Sequence, residues 1–133
     1  MKKIILISLI LIAAFSFSQL IPNLTKYHPS VDYDNIHVQK IADNTHQTTF
    51  LIWIKTAVAL HKHNDHTENV YILEGKGEFT LGDTIYNISS GDYFNIPSGT
   101  PHGVTVTSKK PMKVLSIQSP QFDGSDRIPV EKH

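Results

Sequence analysis

Apolar residues beyond position 47 fall into short runs rich in β-branched and aromatic side chains, each cut off by a turn residue. The runs 48–54, 58–63, 69–74, 78–81, 84–88, 93–96, 103–107 and 113–117 have the length and composition of strands. Gly75 with Gly77, Gly82-Asp83 and Ser90-Gly91-Asp92 supply the turns between them, since tight hairpins need positive φ. Strands succeeding one another without intervening helical periods predict an all-β sandwich or barrel over 48–119.

The flanks differ. Segment 19–47 opens with Pro22, Asn23, Pro29 and Ser30 and no apolar periodicity, so it reads as an extended arm leading into a first strand. Segment 120–133 contains Asp123-Gly124 and Pro129 and is expected to be irregular. Residues 1–18 have another character: Lys2 and Lys3 precede a near-continuous apolar run from Ile4 to Phe15, then small Ser16 and Ser18. That order is that of a signal peptide cut before Gln19, and the run is short for a bilayer span. An exported mature protein, periplasmic or secreted and without a stable membrane span, is the expectation.

Composition narrows the chemistry. A 133-residue chain with 40% hydrophobic and 18% charged residues can bury one core. The formal net charge is 0, and without the leader 10 basic residues face 12 acidic ones, so the basic footprint of a nucleic-acid binder is missing. There is no cysteine, which excludes disulfides, thiolate nucleophiles and Cys-held metals. Any metal must be held by His and carboxylate.

Eight histidines are available, and four of them, His61, His63, His66 and His102, lie in or beside two strand-like places. His61 and His63, two apart on a strand, present both imidazoles on one face. Glu68 follows the turn Asn64-Asp65-His66 and shares the parity of Val70 and Ile72, where a carboxylate is costly unless paired or metal-bound. His102 follows the turn 97–101 and opens another strand. His66 reads as a polar turn residue or as a group orienting Glu68 or a substrate. The only arginine, Arg127, lies in the tail, so anchoring of an oxyanion by Arg is not expected. Phe50, Trp53, Phe79 and Phe94 are expected in the core.

The order His61-x-His63-x4-Glu68-x6-Gly75, followed by Gly91-x5-Pro97-x-Gly99-x2-His102, resembles the two motifs of the cupin superfamily. The chain departs from that pattern at Lys55, where the first motif often opens with Gly, and at Val106, where the second often closes with Asn. The resemblance implies a double-stranded antiparallel β-barrel, jelly-roll-like, in which His61, His63, Glu68 and His102 converge on one divalent ion, commonly in a homodimer. His and carboxylate ligands suit zinc, iron, manganese, nickel or copper.

Four protein ligands on an ion that accepts six leave room for a substrate or water. The expected function is a small-molecule metalloenzyme of dioxygenase, lyase or isomerase type, with Glu68 as ligand and proton acceptor. The alternative is a non-catalytic binding module for a sugar, a carboxylate or the metal itself. Fold does not choose between them. Further Tyr, Arg or Lys on inward strand positions would favour the enzyme.

Overall fold

The computed structural model describes residues 20–131; the predicted leader 1–18, its cut site and residues 132–133 lie outside the described residues. A single 3₁₀ turn, Leu24–Lys26, precedes ten strands: β1 (Ile36–Asn44), β2 (Gln47–Ile54), β3 (Ala57–Lys62), β4 (Thr67–Glu74), β5 (Lys76–Leu81), β6 (Thr84–Ser89), β7 (Tyr93–Ile96), β8 (His102–Val106), β9 (Met112–Ser119) and β10 (Ile128–Pro129). They form two five-stranded antiparallel sheets, ordered β1-β2-β9-β4-β7 and β10-β3-β8-β5-β6. The expected all-β, jelly-roll-like architecture is present as two facing sheets, with no ladder joining them among the described residues. None of the described helical segments is long and apolar enough to cross a membrane.

Alternation along each strand decides what faces the space between the sheets. On β2, Phe50, Ile52 and Ile54 line that space, and Leu51 and Trp53 face the other way. Trp53 is therefore not part of the core between the sheets. It is buried on the outer face, where Tyr27 of the N-terminal arm stacks on it at 6.2 Å and His37 of β1 packs at 5.5 Å. The arm is pinned there by Lys113, whose side chain is 1% exposed and whose ammonium donates to Glu74 Oε1 (2.6 Å) and to the Thr25 carbonyl (2.6 Å). A buried cation is tolerated only with such partners.

Lys55, where the family pattern has Gly, sits in a β2–β3 turn held from outside. Its N–H donates to the Asn35 carbonyl, while Asn35 Oδ1 accepts from Thr56 N (2.9 Å) and Thr56 Oγ1 (2.7 Å). A side chain from the arm thus fixes the turn. The tail, expected to be irregular, instead contributes β10, which pairs with His61 and Lys62.

Candidate metal centre

Between the sheets lies a cavity of about 610 Å³ whose wall is largely the hydrophobic core itself. Its open end is marked by exposed Lys40, Asp123 and Arg127, and His61, His63, Glu68 and His102 share its lining.

A β-bulge aims the first histidine. From Val58 to His61 β3 takes three steps while β8 takes two, from Val104 to His102, so the extra residue returns His61 to the cavity side. Gly103 makes room for it: a Cβ there would stand 2.9 Å from the Val58 carbonyl oxygen and 3.2 Å from Leu60 N. Gly103→Ala must therefore push the bulge apart. It is expected to cost about 1–3 kcal/mol of stability and to weaken metal binding in the same variant, measured by chemical denaturation and metal titration.

One ring nitrogen from each of His61, His63 and His102 lies within 4.8 Å of the others. Each ring is oriented by a backbone carbonyl: His61 Nδ1–H donates to Ala59 (2.9 Å), His102 Nδ1–H to Thr100 (2.9 Å) and His63 Nδ1–H to Asp126. With the proton on Nδ1, all three Nε2 atoms keep bare lone pairs. Glu68 enters from the facing sheet, Oε2 standing 3.2 Å from His102 Nε2 and 3.7 Å from His63 Nε2, while Ser116 donates to Oε1. Despite that closeness, the Nε2 atoms of His63 and His102 are buried without a hydrogen-bond partner among the described residues. Buried imidazole nitrogens converging beside a carboxylate fit a metal ion.

Burial, the neighbouring His102 and the positive Arg127 disfavour a charged His61 and hold its pKa down to about 4, against a lesser upward pull from the Ala59 carbonyl. Burial works against charge on Glu68 too, but the Ser116 hydroxyl, and His102 and His63 whenever they carry a proton on Nε2, outweigh it and hold the carboxyl below its usual range. Because the unfolded His61 has a pKa of about 6.5, acid protonates the unfolded chain first. Metal-free protein is expected to lose stability as pH falls from about 6.5 towards 4, and melting curves across that interval test it.

The tail completes the site. Asp126 accepts from Asn64 N–H and Asp65 N–H (2.8 Å each) and from His66 Nδ1–H (2.6 Å), while its own carbonyl receives His63. His66 Nε2–H donates to the Gln121 carbonyl at 3.0 Å, so both ring nitrogens are donors and the ring is an imidazolium. Burial opposes that charge, but Asp126 and Gln121 overcome it and raise the His66 pKa. Burial would likewise raise Asp126, but His66 and the two N–H groups pull it to about 2. His66 thus grips the tail, and its ring nitrogens make no hydrogen bond to Glu68 among the described residues. Phe122 closes the same corner with its ring edge-on to His63 (5.3 Å) and His66 (5.1 Å).

A family model described as the cupin domain matches residues 49–118, more than half of the chain. The chain is a cupin.

This cupin is 35% identical over 98 residues to an uncharacterized protein of Aquifex aeolicus, covering 74% of this chain and 80% of that one. It is 46% identical over 54 residues to quercetin 2,3-dioxygenase of Bacillus subtilis, a match of 41% of this chain but only 16% of the relative. Among solved structures, an uncharacterized double-stranded β-helix protein of Klebsiella pneumoniae superposes with a TM-score of 0.72 at 15% identity, over 86% of this chain and all of that one. KdgF from Halomonas sp. gives 0.65 at 24%, over 72% and 89%. At these identities the structural likenesses concern fold alone.

The fold also brings in groups that strand patterns do not reveal. Ser116 and Gln118 occupy inward positions of β9, and Asp126 arrives from the tail. Although Arg127 lies in the tail, β10 folds that segment back, so Arg127 lines the cavity mouth near His61.

Proposed function

We propose that this cupin is an exported protein that holds one divalent metal ion with His61, His63, Glu68 and His102 and uses it to bind and activate a small molecule in the cavity below. The reading is carried by the three Nδ1–H bonds to backbone carbonyls, which leave three Nε2 lone pairs facing one point beside a carboxylate. When bound, such an ion supplies Lewis-acid polarisation of a ligand oxygen. The protein's own part is to orient and exclude water. Ser116 steadies one oxygen of Glu68 and leaves Oε2 toward the histidines as ligand and proton acceptor. Phe122 shields the histidine corner.

The non-catalytic alternative has one observation in its favour. Apart from the His/Glu cluster, the ionisable side chains lining the cavity among the described residues, Lys40, Asp123 and Arg127, are exposed at its mouth. No second acid–base group reaches the interior. Elemental analysis of protein purified from its native host, with identification of any co-purified molecule, tests both readings. Metal with a molecule that is converted on incubation supports the enzyme; metal with a molecule recovered unchanged supports the binding module. Protein that stays metal-free after equilibration with zinc, iron, manganese, nickel and copper would overturn the metal reading.

We further propose a homodimer, supported by the apolar stripe that edge strand β1 leaves open: Ile36 and Val38 are 39% and 52% exposed. Light scattering at micromolar concentration tests it, and a monomer throughout would refute it.

A further inference from the structure

Below the histidines the cavity wall is hydrocarbon. Ile72, Phe79, Ile96, Val104, Met112 and Val114 face it from both sheets, and Phe79 stacks on Phe94 across the gap at 4.5 Å. One further polar side chain lines the cavity, at the level of the His/Glu cluster. Gln118 of β9 is 5% exposed and lines the cavity directly opposite Glu68 in the β4–β9 ladder, and its Oε1 is buried with no hydrogen-bond partner among the described residues. A buried amide oxygen without a donor is costly. None of the four proposed ligands supplies it with a hydrogen bond among the described residues. The remaining buried atom without a partner, Trp53 Nε1, belongs to the outer face and cannot serve a cavity ligand.

We infer that the ligand is a largely apolar molecule with a single oxygen-bearing head. The head sits at the histidines and Glu68 and donates a hydrogen bond to Gln118 Oε1, and the apolar body fills the chamber lined by Ile72, Phe79 and Val104. Polyols, sugar acids and nucleotide sugars are the wrong class. The chamber would strip water from their many hydroxyls and return almost no hydrogen bonds.

This inference rests on the metal reading for the head group, so its test varies the body while keeping the head. Acetohydroxamate, octanohydroxamate and gluconohydroxamate share one chelating group and differ in the carbon chain attached to it. Calorimetric titration of each into the purified protein, with metal content measured on the same samples, is expected to show octanohydroxamate binding about 100-fold or more tightly than acetohydroxamate. Gluconohydroxamate should bind no better than acetohydroxamate. The near-isosteric Val104→Thr should weaken octanohydroxamate and leave acetohydroxamate unchanged. Gln118→Leu should weaken octanohydroxamate about tenfold at unchanged metal content.

Equal affinity for all three compounds in metal-loaded protein, or a preference for gluconohydroxamate, overturns the apolar-body inference and leaves the metal reading intact. Octanohydroxamate binding as tightly without metal as with it overturns the placement of the head and supports the chamber. Unchanged affinity in Gln118→Leu removes Gln118 from recognition. Protein that takes up no metal and binds none of the three overturns both readings.

Discussion

Asp126→Ala is expected to lower the unfolding free energy by about 2–4 kcal/mol, because it leaves two backbone N–H groups and a charged imidazole without their acceptor. The Ala variant keeps a carbonyl at position 126, but nothing then holds it against His63. Metal affinity is therefore expected to fall about 10–100-fold, the usual cost of losing a group that orients a ligand. The stability defect should depend on pH in a defined direction. His66 has a raised pKa in the fold, so its pairing with Asp126 contributes fully below the unfolded value of about 6.5 and is lost as pH rises through the folded value. The difference between wild type and Asp126→Asn should shrink as the solution is made alkaline. A difference that stayed constant from pH 5 to pH 9 would show that the ion pair contributes nothing. Denaturant titrations at several pH values supply the measurement.

Removing a ligand should do more than loosening one. His61→Ala, His63→Ala or His102→Ala is each expected to weaken the ion by about 10²–10³-fold, a quarter share of the binding energy of a four-ligand site. His66→Ala should lower thermal stability and reduce metal affinity about tenfold at most, since its ring nitrogens bond the tail and not Glu68. Metal titration of the four variants gives the ranking. Retention of the ion by His102→Ala together with its loss in His66→Ala would show that the bare nitrogen of His102 is not a ligand.

Much of this arrangement was legible in the residues. Period-two runs placed the strands from β2 to β9 within a few residues, because their inward positions are apolar and their turns carry Gly. His61 and His63 were readable as a same-face pair, although the reason is less simple than strand parity. A bulge precedes His61, and Gly103 on the neighbouring strand accommodates it. The rest was hidden because it depends on contacts distant along the chain. β10 is two residues long, too short for any periodic signal. Asp126 acts on residues 60 or more positions earlier through three acceptor atoms, a role that no local pattern encodes. Trp53 looked like core because it is large and apolar, but its parity opposite to Ile52 and Ile54 sends it to the outer face under Tyr27.

The closure of the site by its own C-terminal segment has a bearing on biosynthesis. All four candidate ligands precede Gly103, whereas the hydroxyl that seats Glu68 comes from Ser116 and the carbonyl that orients His63 comes from Asp126. A nascent chain, or the product of a premature stop codon shortly after residue 103, would carry every donor atom and lack the frame that aligns them. Such a chain would also lack β9, which joins β2 to β4. On the proposed metal reading, the aligned site can exist only once almost the whole polypeptide has been made.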